Sequence, residues 1–186
     1  RPPSGTAQPS VPGTGSPPAT ADAPNPVPTP APTPALPLEF EATLLAIGDI
    51  MVHSPQLPAY YDADSDRYDF TEWFERVAPI FREGDWVVGN LETALAGADL
   101  KYTGYPRFNA PAELADALRE AGVQLVSTAN NHSMDRGFAG IERTLDHVRQ
   151  AGLIPYGTAA SAEEAERIVT AERGGIQMGF LAYTYG

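Results

Sequence analysis

The sequence predicts an α/β domain in which a mainly parallel sheet is covered by helices. Two observations carry this prediction: short apolar runs alternate with segments of helical periodicity, and the runs end at small or polar residues. With 186 residues and 42% hydrophobic content, the chain can form one domain of ordinary size with an apolar core.

The first predicted elements begin after residue 38. The run ATLLAIGDIMV is predicted to be a buried strand that stops at Gly48. The segment DFTEWFERVAPIFREGD is predicted to be one helix, because its apolar residues recur at helical spacing and Asp69 with Glu72 resembles a capping box. The run WVVGNLE is the second predicted strand.

The second half continues the alternation. NAPAELADALREAG is predicted to be a helix stopped by Gly122, VQLVSTANNH a strand, and GFAGIERTLDHVRQAG a helix with His147 exposed in its middle. Two β-rich runs then flank Gly174-Gly175, a pattern typical of a hairpin.

Residues 1–38 differ in composition from residues 39–186, which hold all the predicted elements. Thirteen of the 19 prolines lie within the first 37 residues, a stretch without aromatic residues. Such a segment cannot bury enough apolar area to offset its own ordering, so we expect a disordered Pro/Thr/Ala-rich linker. Stalks of this kind commonly space a globular domain away from an envelope anchor, so we expect an extracytoplasmic protein tethered to a membrane through a missing N-terminal anchor.

Charge narrows the class of partner. The formal net charge of −12 argues against nucleic acid, because phosphate contacts are made by Lys and Arg. An anionic substrate would need a metal ion to supply positive charge locally. The absence of cysteine does not decide the compartment.

Three polar clusters, GDIMVH, GNLE and NNH, each follow a predicted strand. Ligands of open α/β sheets bind at the carboxyl ends of the strands, so Asp49, Glu92 and Asn131 are expected at one rim. Carboxylate, amide and imidazole groups suit one or two divalent ions, with Mn, Fe, Zn and Mg not distinguished. Such ions, with a neighbouring imidazole, fit phosphoester hydrolysis.

Each residue also has a structural interpretation. Asp49 could form an Asx-turn or cap, Glu92 could be a solvated loop residue, and Asn130 and Asn131 could bond backbone groups. His132 could be an ordinary exposed histidine. His53, Asn90, Asn130 and Asp135 are weaker candidates for binding substrate. The aromatic residues of PAYYDADSDRYDF and YTGYPRFNAP could line a cleft, but we favour their covering the sheet.

Six motifs together carry a resemblance to a known family: GDIMVH, NLET, GYPRFNAP, ANNHSMDRG, TLDHVRQAG and GFLAYTYG. In this order they resemble the bacterial CapA family, the poly-γ-glutamate capsule biosynthesis proteins related to calcineurin-like metallophosphoesterases. The resemblance runs from about Thr43 to Gly186.

The resemblance implies a layered α/β/β/α sandwich and a role in synthesis, export or attachment of an envelope polymer. By motif, Asp49 resembles the first-strand metal ligand, Glu92 the bridging carboxylate and Asn131 a metal-binding amide. His132 resembles the histidine that assists the phosphoryl group. The implied partners are an anionic polymer or its phosphorylated precursor and a membrane-bound polymer synthase complex.

The sequence departs from the metallophosphoesterase pattern at two motif positions. Met51 stands where a metal-binding histidine is usual, and Glu92 where Asp is usual. The family also carries histidine motifs beyond GFLAYTYG, so we expect this chain to be the N-terminal part of the domain and a poor catalyst alone. Two hypotheses remain: a metal-dependent hydrolase or transferase, and a noncatalytic accessory that holds polymer.

Overall fold

The structure is a computed structural model, and it describes residues 39–185. Its centre is a four-stranded parallel sheet of strand order β1-β4-β5-β6. The strands of this sheet are β1 (Leu44–Ile50), β4 (Trp86–Leu91), β5 (Leu125–Ser127) and β6 (Ile154–Tyr156). The predicted α/β class with mainly parallel pairing is confirmed, and the arrangement is consistent with part of a metallophosphoesterase-like sandwich. The linker predicted over residues 1–38 lies outside the described residues.

The remaining elements are helices and two small antiparallel hairpins. The hairpins are β2 (Tyr61–Asp62) with β3 (Arg67–Tyr68), and β7 (Val169–Arg173) with β8 (Ile176–Phe180). The helices are α1 (Gln56–Ala59), α2 (Thr71–Phe74), α3 (Ala78–Phe81), α4 (Glu113–Ala121), α5 (Gly137–Gln150) and α6 (Ala162–Ala165), with a 3₁₀ turn at Ala98–Leu100.

Both faces of the sheet are covered. On one face, buried Val87 and Val126 pack with Leu114 and Leu118 of α4 in the main core. On the other, Trp86 and Leu125 pack against Phe180 of the β7–β8 hairpin, which confirms the hairpin predicted around Gly174-Gly175. The aromatic residues that we expected to cover the sheet do so in part: Phe70 is buried in the main core, and Tyr60, Tyr68 and Tyr102 pack against it.

Four expectations about individual elements need correction. The single helix predicted over DFTEWFERVAPIFREGD is two short helices, α2 and α3, because Pro79 has no N–H to donate to a preceding turn. The predicted capping box of Asp69 and Glu72 is not formed. Asp69 accepts a hydrogen bond from Thr71 N at 2.8 Å, but it lies one residue before the N-cap, Phe70. β1 does not stop at Gly48.

β1 instead runs to Ile50, and its register against β4 shifts between Ala46 and Asp49, so Gly48 lies in a bulge within the strand. His147 is half-buried rather than exposed, and its Nδ1 lies 2.7 Å from the Leu95 carbonyl oxygen. The edge strand β6 was not predicted.

The helix stop at Gly122 allows a stability prediction. Gly122 has a φ of 110° and caps α4, its N–H bonding to the carbonyls of Arg119 and Leu118. We expect Gly122→Ala to lower the free energy of unfolding by about 1–2 kcal/mol, because a Cβ disfavours this left-handed conformation. Urea unfolding measures the change. Gly48→Ala is the matched control, since an added Cβ there meets no described atom within 4 Å; equal losses at both positions would contradict the explanation.

Candidate functional site

The candidate site lies at the carboxyl end of the parallel sheet. Strand register pairs Asp49 with Asn90 and Asn90 with Ser127, so these residues form one row across three strands. Glu92 follows directly, and its N–H donates to the Ile50 carbonyl at 2.9 Å. The sheet thus brings Asp49 and Glu92 together although 43 positions separate them in sequence.

The Asn90 amide ties the row together. Its Nδ2 donates to Asp49 Oδ1 at 2.8 Å and lies 3.3 Å from Glu92 Oε2. Its Oδ1 accepts from Asn130 Nδ2 at 3.2 Å, and the same Asn130 Nδ2 lies 2.9 Å from the Leu91 carbonyl oxygen. Asn90 therefore holds both carboxylates in place while Asn130 holds Asn90.

The Asp49 carboxyl group changes the electrostatic environment of Glu92. Burial raises the pKa of Glu92, and Asp49 raises it further through a hydrogen bond and charge repulsion, whereas the charge of His132 acts in the opposite direction. Two neighbouring carboxylates are disfavoured unless a proton or a cation neutralises part of their charge. The pair is thus an electrostatic environment that favours a cation.

The turn after β5 fixes the orientation of the Asn130 amide. Ser133 Oγ lies 2.6 Å from the Thr128 carbonyl oxygen and accepts from Asn130 N at 2.9 Å. Asn130 Oδ1 in turn accepts from His132 N at 3.0 Å. This closed turn directs Asn130 inward, whereas Asn131 is exposed and its side chain makes no hydrogen bond within residues 39–185.

His132 is held by Asp135. His132 Nδ1 lies 2.9 Å from Asp135 Oδ2, and the same oxygen accepts from Phe108 N at 2.6 Å. The His132 ring also packs edge-on against Phe108, with ring centroids 4.6 Å apart. The other ring nitrogen, Nε2, lies 4.0 Å from Glu92 Oε1, so it faces the carboxylate pair.

A divalent ion would find oxygen ligands here, chiefly from Asp49 and Glu92. Hard cations such as Mg²⁺ and Mn²⁺ take carboxylate and amide oxygens, so the type of donor fits. The fit is limited in number, because no set of three His, Asp or Glu side chains among residues 39–185 is grouped to hold an ion. Further ligands would have to come from amides such as Asn131, from water or from elsewhere in the protein.

The structure places the weaker candidates in different positions. Asn90 and Asn130 lie inside the hydrogen-bond network, and Asp135 contacts His132. His53 is exposed, and its ring centroid lies 5.1 Å from that of Phe108, one of the aromatic residues that we expected to cover the sheet. Phe108 therefore contacts both histidine rings, a role that its position in GYPRFNAP alone does not reveal.

Across residues 39–185, no helix combines the length and apolar character needed to cross a membrane.

Comparison with known proteins decides the family. The family model described as "Bacterial capsule synthesis protein PGA_cap" matches residues 43–186, which include every candidate site residue. The chain belongs to the PGA_cap family. The CapA resemblance read from the six motifs is thereby confirmed.

The chain is 28% identical to the capsule biosynthesis protein CapA of Bacillus anthracis over 150 residues, covering 76% of this chain and 34% of that protein. It is 26% identical to the PGA biosynthesis protein CapA of Bacillus subtilis over 145 residues, covering 74% and 36%. The chain thus spans about a third of the length of these curated relatives.

Proposed function

We propose that the chain contributes a metal-binding rim to a capsule-synthesis protein that hydrolyses or transfers a bond in an anionic polymer or its phosphorylated precursor. One observation carries the proposal: Asp49 and Glu92 lie side by side at the carboxyl end of a parallel sheet, with His132 facing them. The names of the Bacillus relatives support a polymer of the poly-γ-glutamate type.

In this proposal Asp49, Glu92 and Asn131 hold one or two divalent ions, whose charge would polarise a phosphoryl or carbonyl oxygen. Asn90 orients the two carboxylates through its amide, and Asn130 fixes Asn90. His132 would take up a proton at Nε2 and deliver it to the leaving group, since Asp135 occupies Nδ1.

Because capsule polymers lie at the cell surface, we also propose an extracytoplasmic protein tethered to the membrane and working with a synthase complex. A second function has its own support. Met51 stands at a position where metallophosphoesterases carry a ligand, and only two carboxylates converge within the described residues. These features favour a noncatalytic accessory that holds polymer at the same end of the sheet.

Metal content distinguishes the two functions. We expect the purified full-length protein to retain a divalent transition metal or Mg²⁺ in stoichiometric amount by elemental mass spectrometry, and to cleave γ-linked glutamate polymer or a phosphorylated precursor only with metal present. Chelator-treated protein serves as the control, and activity should return when metal is restored. Metal-free protein that binds polymer without cleaving it would reject the enzyme and favour the accessory.

A further inference from the structure

A loop of residues 101–109, here named the rim loop, borders the candidate site. Its two ends are joined because Thr103 and Asn109 exchange backbone hydrogen bonds at 3.0 and 2.9 Å. Asn109 is fully buried, and its Nδ2 donates to the carbonyls of Gly97 and Lys101 at 2.9 and 3.1 Å. The rim loop is therefore a fixed part of the wall beside His132.

Arg107 on this loop uses one edge of its guanidinium group to bind a residue of the candidate site. Its Nε and Nη2 donate to the backbone carbonyl of Asp135 at 3.1 and 2.7 Å. The side chain of that same Asp135 holds His132, so Asp135 contacts both the guanidinium and the imidazole. Arg107 is exposed, and its Nη1 makes no hydrogen bond with any residue from 39 to 185.

Arg136 adds a second positive charge next to the first. It donates to the Arg107 carbonyl at 3.0 Å, to the Asp135 carbonyl at 3.1 Å and to the Thr103 hydroxyl. Burial lowers the pKa of Arg136, the nearby charge of Arg107 lowers it further, and Asp135 raises it. Neither arginine has a carboxylate within ion-pair distance among the described residues, although the chain carries 24 acidic residues.

Two adjacent guanidinium groups repel each other, and a bound anion would remove that cost. Their position matters because the rest of the site is acidic. A polyanion approaching Asp49 and Glu92 meets repulsion unless cations flank the reacting group. Guanidinium presents paired N–H groups that match a carboxylate better than a point charge does.

We infer that Arg107, supported by Arg136, is a specificity-determining residue that binds a carboxylate of an acidic polymer beside the group placed at Asp49 and Glu92. This inference rests on the proposed function and names the residue that recognises its anionic substrate. The free Nη1 edge of Arg107 binds the carboxylate. Arg136, which donates to the Arg107 carbonyl, adds a second positive charge nearby. Carboxylates repeated along a γ-linked glutamate chain supply such a group next to every bond.

The test measures binding rather than turnover. A short fluorescently labelled γ-linked glutamate oligomer is titrated with full-length protein and followed by fluorescence anisotropy at low salt, with and without Mn²⁺. We expect Arg107→Gln to weaken binding about tenfold, the loss of one charge-assisted contact. Arg107→Lys should fall between wild type and Arg107→Gln. Arg76→Gln, which removes an exposed arginine between α2 and α3, should bind like wild type.

Two further probes separate charge recognition from a structural effect. An oligomer whose side carboxyls are amidated should bind weakly and equally to wild type and Arg107→Gln, and excess inorganic phosphate should compete with the glutamate oligomer only weakly. Equal loss of both oligomers in Arg107→Gln would overturn the inference, as would wild-type affinity in that variant or efficient displacement by phosphate.

Metal content measured on the same samples separates the two proposals. Protein without metal that still loses oligomer binding in Arg107→Gln rejects the metal-dependent function but keeps this inference. If the protein contains metal and Arg107→Gln binds the oligomer normally, this inference is rejected and the metal-dependent function is kept.

Discussion

Asp49→Asn is expected to weaken Mn²⁺ binding by the full-length protein at least about 100-fold, the upper end of the loss seen when residues behind a metal ligand are changed. The change removes one of the two carboxylates that converge at the sheet end and leaves Glu92 without its carboxylate neighbour. Isothermal titration calorimetry measures the affinity. Asp49 is exposed and is one of the last two residues of β1 that pair with β4, so its replacement by an isosteric amide should preserve the fold.

Two companion variants sharpen this prediction. Asn90→Ala should cost about tenfold in affinity, because Asn90 orients the carboxylates without being a proposed ligand. Asp146→Asn on α5 is the matched control, since Asp146 is exposed and makes no side-chain hydrogen bond within the described part of the chain. Unchanged affinity in Asp49→Asn would show that any metal in the protein is held elsewhere, and the proposed site would be abandoned.

The sequence predicted the sheet because its strands are continuous apolar runs bounded by turn residues. β4 and β5 follow this rule, and the helix stop at Gly122 is a local signal that tertiary contacts do not override. β6 escaped prediction because it has three residues, one of them Pro155, and a strand of that kind survives only at a sheet edge. Its identity as a strand comes from pairing with β5, which no local pattern reveals.

The candidate site divides in the same way. That Asp49, Glu92 and His132 share one rim follows from strand ends alone, because parallel strands align their carboxyl termini. The orientation of Asn130 does not follow from strand ends. It depends on the turn at Ser133, which directs the Asn130 amide inward. The metal role of Asn131 stays a prediction that metal titration of Asn131→Ala would test.

His132→Ala in the full-length protein is expected to reduce turnover by about 10²-fold or more while metal content stays nearly unchanged. The hydrogen bonds at Asp135 give the reason. Asp135 Oδ2 accepts from the Phe108 amide, so it acts as an acceptor toward His132 Nδ1 as well, and the ring proton resides on Nδ1. Nε2 is then the atom free to take up and deliver a proton, and it faces Glu92 rather than solvent.

Asp135→Asn tests the same arrangement without removing the imidazole. The amide that replaces the carboxylate can donate to Nδ1, which would move the ring proton to Nε2 and oppose proton uptake there, so turnover should fall while metal content holds. His147→Gln, on α5 and bonded to the Leu95 carbonyl, is the control and should keep wild-type turnover. If His132→Ala instead loses metal and turnover in equal measure, His132 is a metal ligand, because a proton donor held by Asp135 has no reason to change metal content.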